Sequence, residues 1–317
     1  MQPKTIWVMG ARGFVGSHVA RAAAASGYRV LGLGHGAWLP DDAAAWGVEH
    51  WRNGEVDEIN LDLLATESGL PDGIFHCAGG SSVGVSLQAP YEDYSRSVTS
   101  TARLLEWQRR RAPHCRFVLA SSAAVYGSGH VGAIVEQATG IPASPYGTHK
   151  LAAEVLVRGA QRSFGLKVGI IRPFSLYGET LRKQLIWDIC TKLNRDASSL
   201  ALGGTGEELR DFIHVVDAAA FFVKVFEQLE DFVQGGFITV NCGTGAAQSI
   251  RQIAESVIGA WGQVTRLRFD HQGRAGDPAH LVADVGYARE LGLLPRIAFA
   301  DGVARTVEWF RREHPAP

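Results

Sequence analysis

Short apolar runs alternate with amphipathic stretches along the first half of the chain. Ile6 to Met9 is a brief run of strand-favouring residues. Phe14 to Ser26 is Ala-rich, reads as a helix and stops at Gly27. Further strands are expected at Arg29–Leu33, Val48–Trp51, Gly73–Cys77, Arg116–Ser121 and Lys167–Arg172. Helices are expected at Tyr91–Arg111, stopping before Pro113, and at Tyr146–Phe164. This alternation predicts an α/β fold, a doubly wound parallel sheet with helices on both faces. After Pro173 the rhythm loosens. Helical patterns recur at Leu181–Asn194, Ile250–Ala260 and Gly302–Arg312, with a turn at Gly203–Gly206 and a strand at Phe237–Val240. The pattern divides the chain into a first domain over 1–174 and a smaller, interleaved domain over 175–317. Residues of about 212–243 are expected to return to the main sheet.

The first strand runs into Gly10-Ala11-Arg12-Gly13-Phe14-Val15-Gly16, which opens the first helix. Glycines at this junction permit a tight turn, close approach of backbone to a pyrophosphate, and close packing of helix on strand. The free N–H groups of the helix start favour an anion. The turn therefore predicts a Rossmann-type dinucleotide site formed by Gly10, Arg12, Gly13, Phe14, Val15 and Gly16. The second strand ends Leu31-Gly32-Leu33-Gly34-His35, without the carboxylate that usually holds a ribose 2′-hydroxyl. With Arg12 in the turn and His35 after the strand, NADP(H) is favoured over NAD(H), because a guanidinium suits a 2′-phosphate. Glu55 or Asp57 is a candidate for the adenine. The fourth strand ends in His76-Cys77-Ala78-Gly79-Gly80, small residues that let a cofactor lie against Ala78.

Tyr146 and Lys150 lie four residues apart at a helix start, so they share a face. A free phenol titrates near ~10, too high for acid–base work at neutral pH. An ammonium ~4 Å away at an effective dielectric of ~20 is worth about 4 kcal/mol, roughly three pKa units. The fifth strand ends in Ser121-Ser122-Ala123-Ala124-Val125-Tyr126-Gly127, at the carboxyl edge where open α/β sheets bind ligands. A serine hydroxyl there can hold the reacting oxygen beside the tyrosine.

The glycine turn, the Ser-Ser-Ala-Ala-Val-Tyr-Gly run, Tyr-x-x-x-Lys and Arg172-Pro173-Phe174 together resemble the nucleotide-sugar epimerase/dehydratase/reductase family of extended short-chain dehydrogenases. So do Gly204–Val215, Asn241–Gly245 and Arg274–Pro278. The resemblance implies that Tyr146 is the acid/base, that Lys150 tunes it and binds the nicotinamide ribose, and that Ser122 holds the reacting oxygen, with Ser121 as fallback. It implies that Arg210 and Arg274 meet the diphosphate of a nucleotide-sugar, and it adds Ser82 and Ser175 to the substrate contacts. It also implies a homodimer through the helices Tyr91–Arg111 and Tyr146–Phe164, with Leu104, Leu105, Trp107, Ala152, Val155 and Leu156 as contact candidates.

Departures from the family pattern narrow the chemistry. Ala123 and Ala124 stand where dehydratases carry Asp-Glu, and neither alanine can move a proton. His35, Ser81 and Ser175 replace residues usual in UDP-galactose 4-epimerases. The preferred expectation is therefore an NADP(H)-dependent reductase of a nucleotide-linked 4-keto-6-deoxy sugar. The alternative is an NAD(P)-dependent 4-epimerase, and the remote one a cofactor-binding regulator without catalysis.

Composition removes other classes. The net charge is −1, and the densest basic cluster, Arg109-Arg110-Arg111, suits a helix C-terminus, so nucleic acid is not an expected partner. The 4 cysteines form no Cys-x-x-Cys pair, which argues for reduced thiols and against a metal. The most apolar stretch, Val215–Phe226, is short and interrupted by Asp217 and Lys224, and the N-terminus has no signal-peptide order, so a cytoplasmic protein without a membrane association is expected.

Overall fold

Among the described residues, the strand-forming runs up to Pro173, joined by one later strand, assemble into one seven-stranded sheet. Its strands are β1 (Thr5–Met9), β2 (Arg29–Gly34), β3 (His50–Asn53), β4 (Gly73–His76), β5 (Arg116–Ala120), β6 (Val168–Pro173) and β7 (Phe237–Cys242), in the order β7-β6-β5-β4-β1-β2-β3. Every pairing among β1 to β6 is parallel. The computed structural model describes residues 3–231, 236–272 and 278–315. The chain divides into two units: Met1–Gly127 with Thr139–Arg172 and Ala219–Val240, and Ser128–Ala138 with Pro173–Ala218 and Asn241–Pro317.

In the first unit, alternate strand residues point to one face. Trp7, Met9, Leu31, Leu33, Ile74, Phe117, Leu119, Val168 and Ile170 join one core cluster with residues of the covering helices. The helical members of that cluster come from Glu58–Ser68, α4 (Ser100–Arg111) and α5 (Pro145–Phe164); the helices α1 (Phe14–Ala25), α2 (Val83–Gln88) and α3 (Pro90–Tyr94) belong to the same unit. On the sheet, the Phe75 ring meets Phe222 and Phe226 of the helix Val215–Gln228, with centroids 6.0 and 5.6 Å apart. The apolar stretch singled out in the sequence is thus a core helix. Each such fully buried aromatic contributes about 1.5–3 kcal/mol. No helix among the described residues is long and apolar enough to cross a membrane.

Three expectations need revision. The single helix expected over Tyr91–Arg111 is two helices, α3 and α4, joined by a π turn over Ser95–Thr99. At this turn Ser100 Oγ donates to Arg96 O and Thr101 Oγ1 to Ser97 O. Leu104, Leu105 and Trp107 are buried in the protein's own core, with the Trp107 ring tilted against Trp7 at a centroid distance of 5.2 Å, so they are not open to a second subunit. The third strand begins at His50 rather than Val48, and an unexpected helix, Glu58–Ser68, follows it, capped by the Asp57 carboxylate accepting the Asn60 N–H.

The second unit has three small sheets. Ser175–Tyr177 pairs with Phe212–His214, Ser199–Leu202 with Arg266–Phe269, and Leu209–Arg210 lies between Gln248–Ser249 and His280–Leu281. The Asp211 carboxylate ties this framework together by accepting the N–H groups of Thr244, Gly245 and Ala283. Helices Gln184–Arg195, Ile250–Trp261 and Phe299–Glu313 enclose a separate core around Ile189, Ile253, Val257, Val303 and Phe310.

Candidate active site

The glycine turn is as tight as its sequence implies. Gly10 has φ +81°, and a Cβ there would fall 2.8 Å from the Ala78 nitrogen. A Cβ on Gly16 would fall 2.1 Å from Gly10 O. Gly13 caps α1 without a side chain, and no acidic residue occupies the first helical turn. The helix therefore presents its N–H groups and positive end beside bare backbone, which fits a dinucleotide pyrophosphate. Gly10, Gly13 and Gly16 are brought together here, with Ala78 against Gly10.

The other expected cofactor residues lie around this turn in less specific settings. Arg12 and His35 are exposed. A Cβ on Gly36 would come within 2.6 Å of the Arg12 guanidinium. The bend after β2 is fixed by β3: Gly36 donates its N–H to Asn53 Oδ1, and the Trp51 indole donates to Gly36 O. Neutral groups shape the bend, and Arg12 packs over it. Glu55 is exposed and 3.9 Å from Arg103, and the Asp57 carboxylate is occupied as a helix cap.

The carboxyl ends of β4 and β5 meet the start of α5. Ser144 caps α5 by accepting the Gly147 N–H, and Pro145 occupies the first turn. Ser86 Oγ accepts the Tyr146 N–H at 3.1 Å. The Ser122 side chain accepts the Ala124 N–H at 3.1 Å and acts on the Tyr146 phenol, lowering its pKa. Ser121 is committed elsewhere: its Oγ donates to Glu154 Oε1 at 2.6 Å. Glu154, fully buried, also accepts both Nε and Nη2 of Arg172, and Arg172 Nη1 donates to the Tyr126 hydroxyl. Burial opposes the Arg172 charge, but hydrogen bonding and attraction from Glu154 raise its pKa. This network pins the end of β5 and the middle of α5, leaving Ser122, not Ser121, to the tyrosine.

Lys150 is buried and donates from Nζ to Ala120 O at 2.9 Å. Its Nζ lies 5.8 Å from the centroid of the Tyr146 ring. The expected lowering of the phenol pKa by this ammonium is not what dominates. Burial is the largest influence and pushes Tyr146 up; the Ser122 hydrogen bond pulls it down, and the Asp93 charge pushes it up. Burial lowers Lys150, while Cys77, Asp93 and Glu154 act the other way. Burial, with Lys150 adding to it, brings His76 down to about 3, and burial drives Cys77 up to about 12 against the pull of Lys150. Gly79 leaves room for Lys150: a Cβ there would sit 3.3 Å from Nζ.

The site also contains Asp93, His149 and Ser86, to which the sequence attached no role. His149 Nδ1 is 2.6 Å from Asp93 Oδ2. Only the position of His149, between Tyr146 and Lys150, marked it; Asp93 lay inside a stretch read as an ordinary helix.

The expected substrate residues fall in both units. Ser82 in the first unit caps α2 by accepting the Val85 N–H at 3.3 Å. Ser175 and Arg210 belong to the second unit. Ser175 donates its N–H to Asp211 O, and Arg210, buried, donates from Nη1 to Leu209 O. Arg274 lies outside the described residues.

Comparison with known proteins adds what the geometry alone does not. A family model described as the NAD dependent epimerase/dehydratase family matches residues 6–243. A UDP-glucose 4-epimerase of Azospirillum brasilense is 31% identical, covering 96% of this chain and 92% of its own. A UDP-glucose 4-epimerase of Mycolicibacterium smegmatis is 30% identical, covering 96% and 98%. Among solved structures, MoeE5 in complex with UDP-glucuronic acid and NAD is 29% identical, with a TM-score of 0.84 over 98% of this chain and 99% of that one. The preference for NADP(H) is overturned by this neighbour, which carries NAD. That preference rested on a missing carboxylate and one arginine. The structure accounts for both without a 2′-phosphate, through the Asn53-held bend and the packing of Arg12 upon it.

Proposed function

Because the chain belongs to the NAD-dependent epimerase/dehydratase family of extended short-chain dehydrogenases, we propose that it is an NAD-dependent 4-epimerase of a UDP-linked hexose. The observation that carries the chemistry is the placement of Tyr146 beside buried Lys150, whose Nζ lies 5.8 Å from the phenol ring and donates to Ala120 O at the end of β5, just before Ser122. The direction toward epimerisation comes from relatives at 30–31% identity that are UDP-glucose 4-epimerases. It displaces the reductase expected from His35, Ser81 and Ser175.

Gly10, Gly13 and Gly16, with the N-terminus of α1, would hold the pyrophosphate of NAD. When bound, NAD supplies a reversible hydride acceptor. Ser122 orients the C4 oxygen of the sugar. Tyr146 takes the hydroxyl proton at its Oη as C4 is oxidised and returns it as C4 is reduced. Lys150 supplies a fixed positive charge beside them. Ala123 and Ala124 offer no second proton-transfer group, so the residues support redox at one carbon rather than elimination of water.

The test is to incubate the protein with UDP-glucose, UDP-galactose or UDP-glucuronate, without added reductant, and follow the sugar by NMR. Interconversion at C4 with no net redox change is expected. Stoichiometric consumption of an added nicotinamide cofactor, with no C4 isomer formed, would overturn the reading. Tyr146→Phe should lower turnover by about 10²-fold or more.

A further inference from the structure

Ser121, Tyr126, Glu154 and Arg172 form a buried polar network that the proposed chemistry leaves unused. The Glu154 carboxylate is its centre. Its Oε1 accepts from Ser121 Oγ at 2.6 Å and from Arg172 Nε at 2.8 Å. Its Oε2 accepts from Arg172 Nη2 at 2.6 Å and from Arg158 Nη2 at 2.8 Å. Each oxygen thus has a pair of donors, which fills the acceptor capacity of a carboxylate. The remaining arm of the guanidinium reaches the tyrosine: Arg172 Nη1 donates to the Tyr126 hydroxyl at 2.9 Å. A guanidinium is planar, so pairing Nε and Nη2 with Glu154 fixes where Nη1 aims. Ser121 and Tyr126 flank Ser122 along the chain. Ser121 directly precedes it, and Tyr126 ends the turn Ala123–Tyr126 that Ser122 caps. Glu154 follows Lys150 by one helical turn on α5, and Lys150 donates to Ala120 O, the residue before Ser121.

We propose that Ser121 and Tyr126 are positioning residues, the ends of a clamp by which the Glu154–Arg172 pair holds Ser122 in register with Tyr146 and Lys150. This rests on Ser122 holding the reacting oxygen. A buried ion pair whose hydrogen bonds are complete is rigid. Here the rigid pair grips the chain on both sides of Ser122. Anchored on one side only, the segment would swing about its soft backbone dihedrals. Misplacing a reacting group by about 1 Å costs on the order of 10²-fold in rate. Both hydroxyls engage the ion pair, so their effect on the reaction passes through Ser122.

Tyr126→Phe and Ser121→Ala each remove one hydroxyl. The first readout needs no turnover: amide hydrogen exchange at Ala124, whose N–H is held by Ser122 Oγ. Each variant should speed that exchange by about tenfold while the amides of β1 keep their native rates. The second readout is kinetic, on the conversion of UDP-galactose. Each variant should lower kcat by about 10–100-fold, with KM and the calorimetric affinity for NAD unchanged. In a Ser122→Ala background, Tyr126→Phe should lower kcat no further, because the clamp acts through that side chain. Ser121→Ala carries the test should Tyr126→Phe fail to fold. Native exchange at Ala124, or a kcat loss that adds in full to that of Ser122→Ala, would overturn the clamp. So would exchange that quickens equally at Ala124 and in β1, which marks lost stability alone. A native protein without C4 epimerase activity would instead overturn the reading of the site, and exchange at Ala124 would still decide the clamp.

Discussion

Ser122→Ala separates the chemical role of this serine from its structural one. The hydroxyl acts on the Tyr146 phenol, lowering its pKa, and caps the turn that starts at Ala123. A hydrogen bond to a charged group is worth about 1.5–3 kcal/mol. At about 1.4 kcal/mol per decade, losing it at the developing phenolate lowers kcat by about 10–150-fold. Losing the cap costs about 1 kcal/mol of stability. The Ser122 bond lowers the Tyr146 pKa, so its removal raises it. Less phenolate is then present at any fixed pH, and the Tyr146-governed limb moves to higher pH. Steady-state kinetics across pH, beside thermal unfolding, resolve the two losses. Ser122→Thr, which restores a hydroxyl, should recover most of kcat. A Ser122→Ala enzyme with wild-type kcat and an unmoved limb would refute the reasoning.

Other outcomes follow from the same geometry. Gly16→Ala places a methyl 2.1 Å from Gly10 O and should destabilise the turn by about 1–3 kcal/mol and weaken NAD binding, measurable by calorimetry. Glu154→Gln leaves buried Arg172 without its counter-charge and should cost about 3–5 kcal/mol in denaturant unfolding. His76, buried, titrates near 3 in the fold against 6.5 when free. Its unfolded form therefore binds more protons across that window, and stability is lost as pH falls below about 6.5, by about 1.4 kcal/mol per pH unit. Urea midpoints measured from pH 7 to 5 should fall less steeply in His76→Asn than in the native chain.

The parallel sheet was legible because β1, β4, β5 and β6 are short apolar runs bounded by turns, and because Gly10–Gly16 joins a strand to a helix. Tyr146 and Lys150 were legible because helical spacing alone puts them on one face. What escaped notice depends on tertiary contact. The Asp93–His149 pair joins residues on separate helices. The π turn over Ser95–Thr99 is built of residues that suit a regular helix equally well, so the pattern did not mark it. The helix Glu58–Ser68 has little amphipathic pattern, and its clearest mark was the Asp57 cap. The cofactor preference failed because Arg12 and His35 were weighed without Asn53 and Trp51, which lie across the strand and hold the bend.

The most direct test of the central claim follows the hydrogen at C4. UDP-glucose incubated with the protein in heavy water should give UDP-galactose that keeps its C4 hydrogen, because the hydrogen leaves and returns as hydride while Tyr146 handles only the hydroxyl proton. Deuterium at C4 of the product would contradict the account, since it requires a carbon acid that exchanges with solvent.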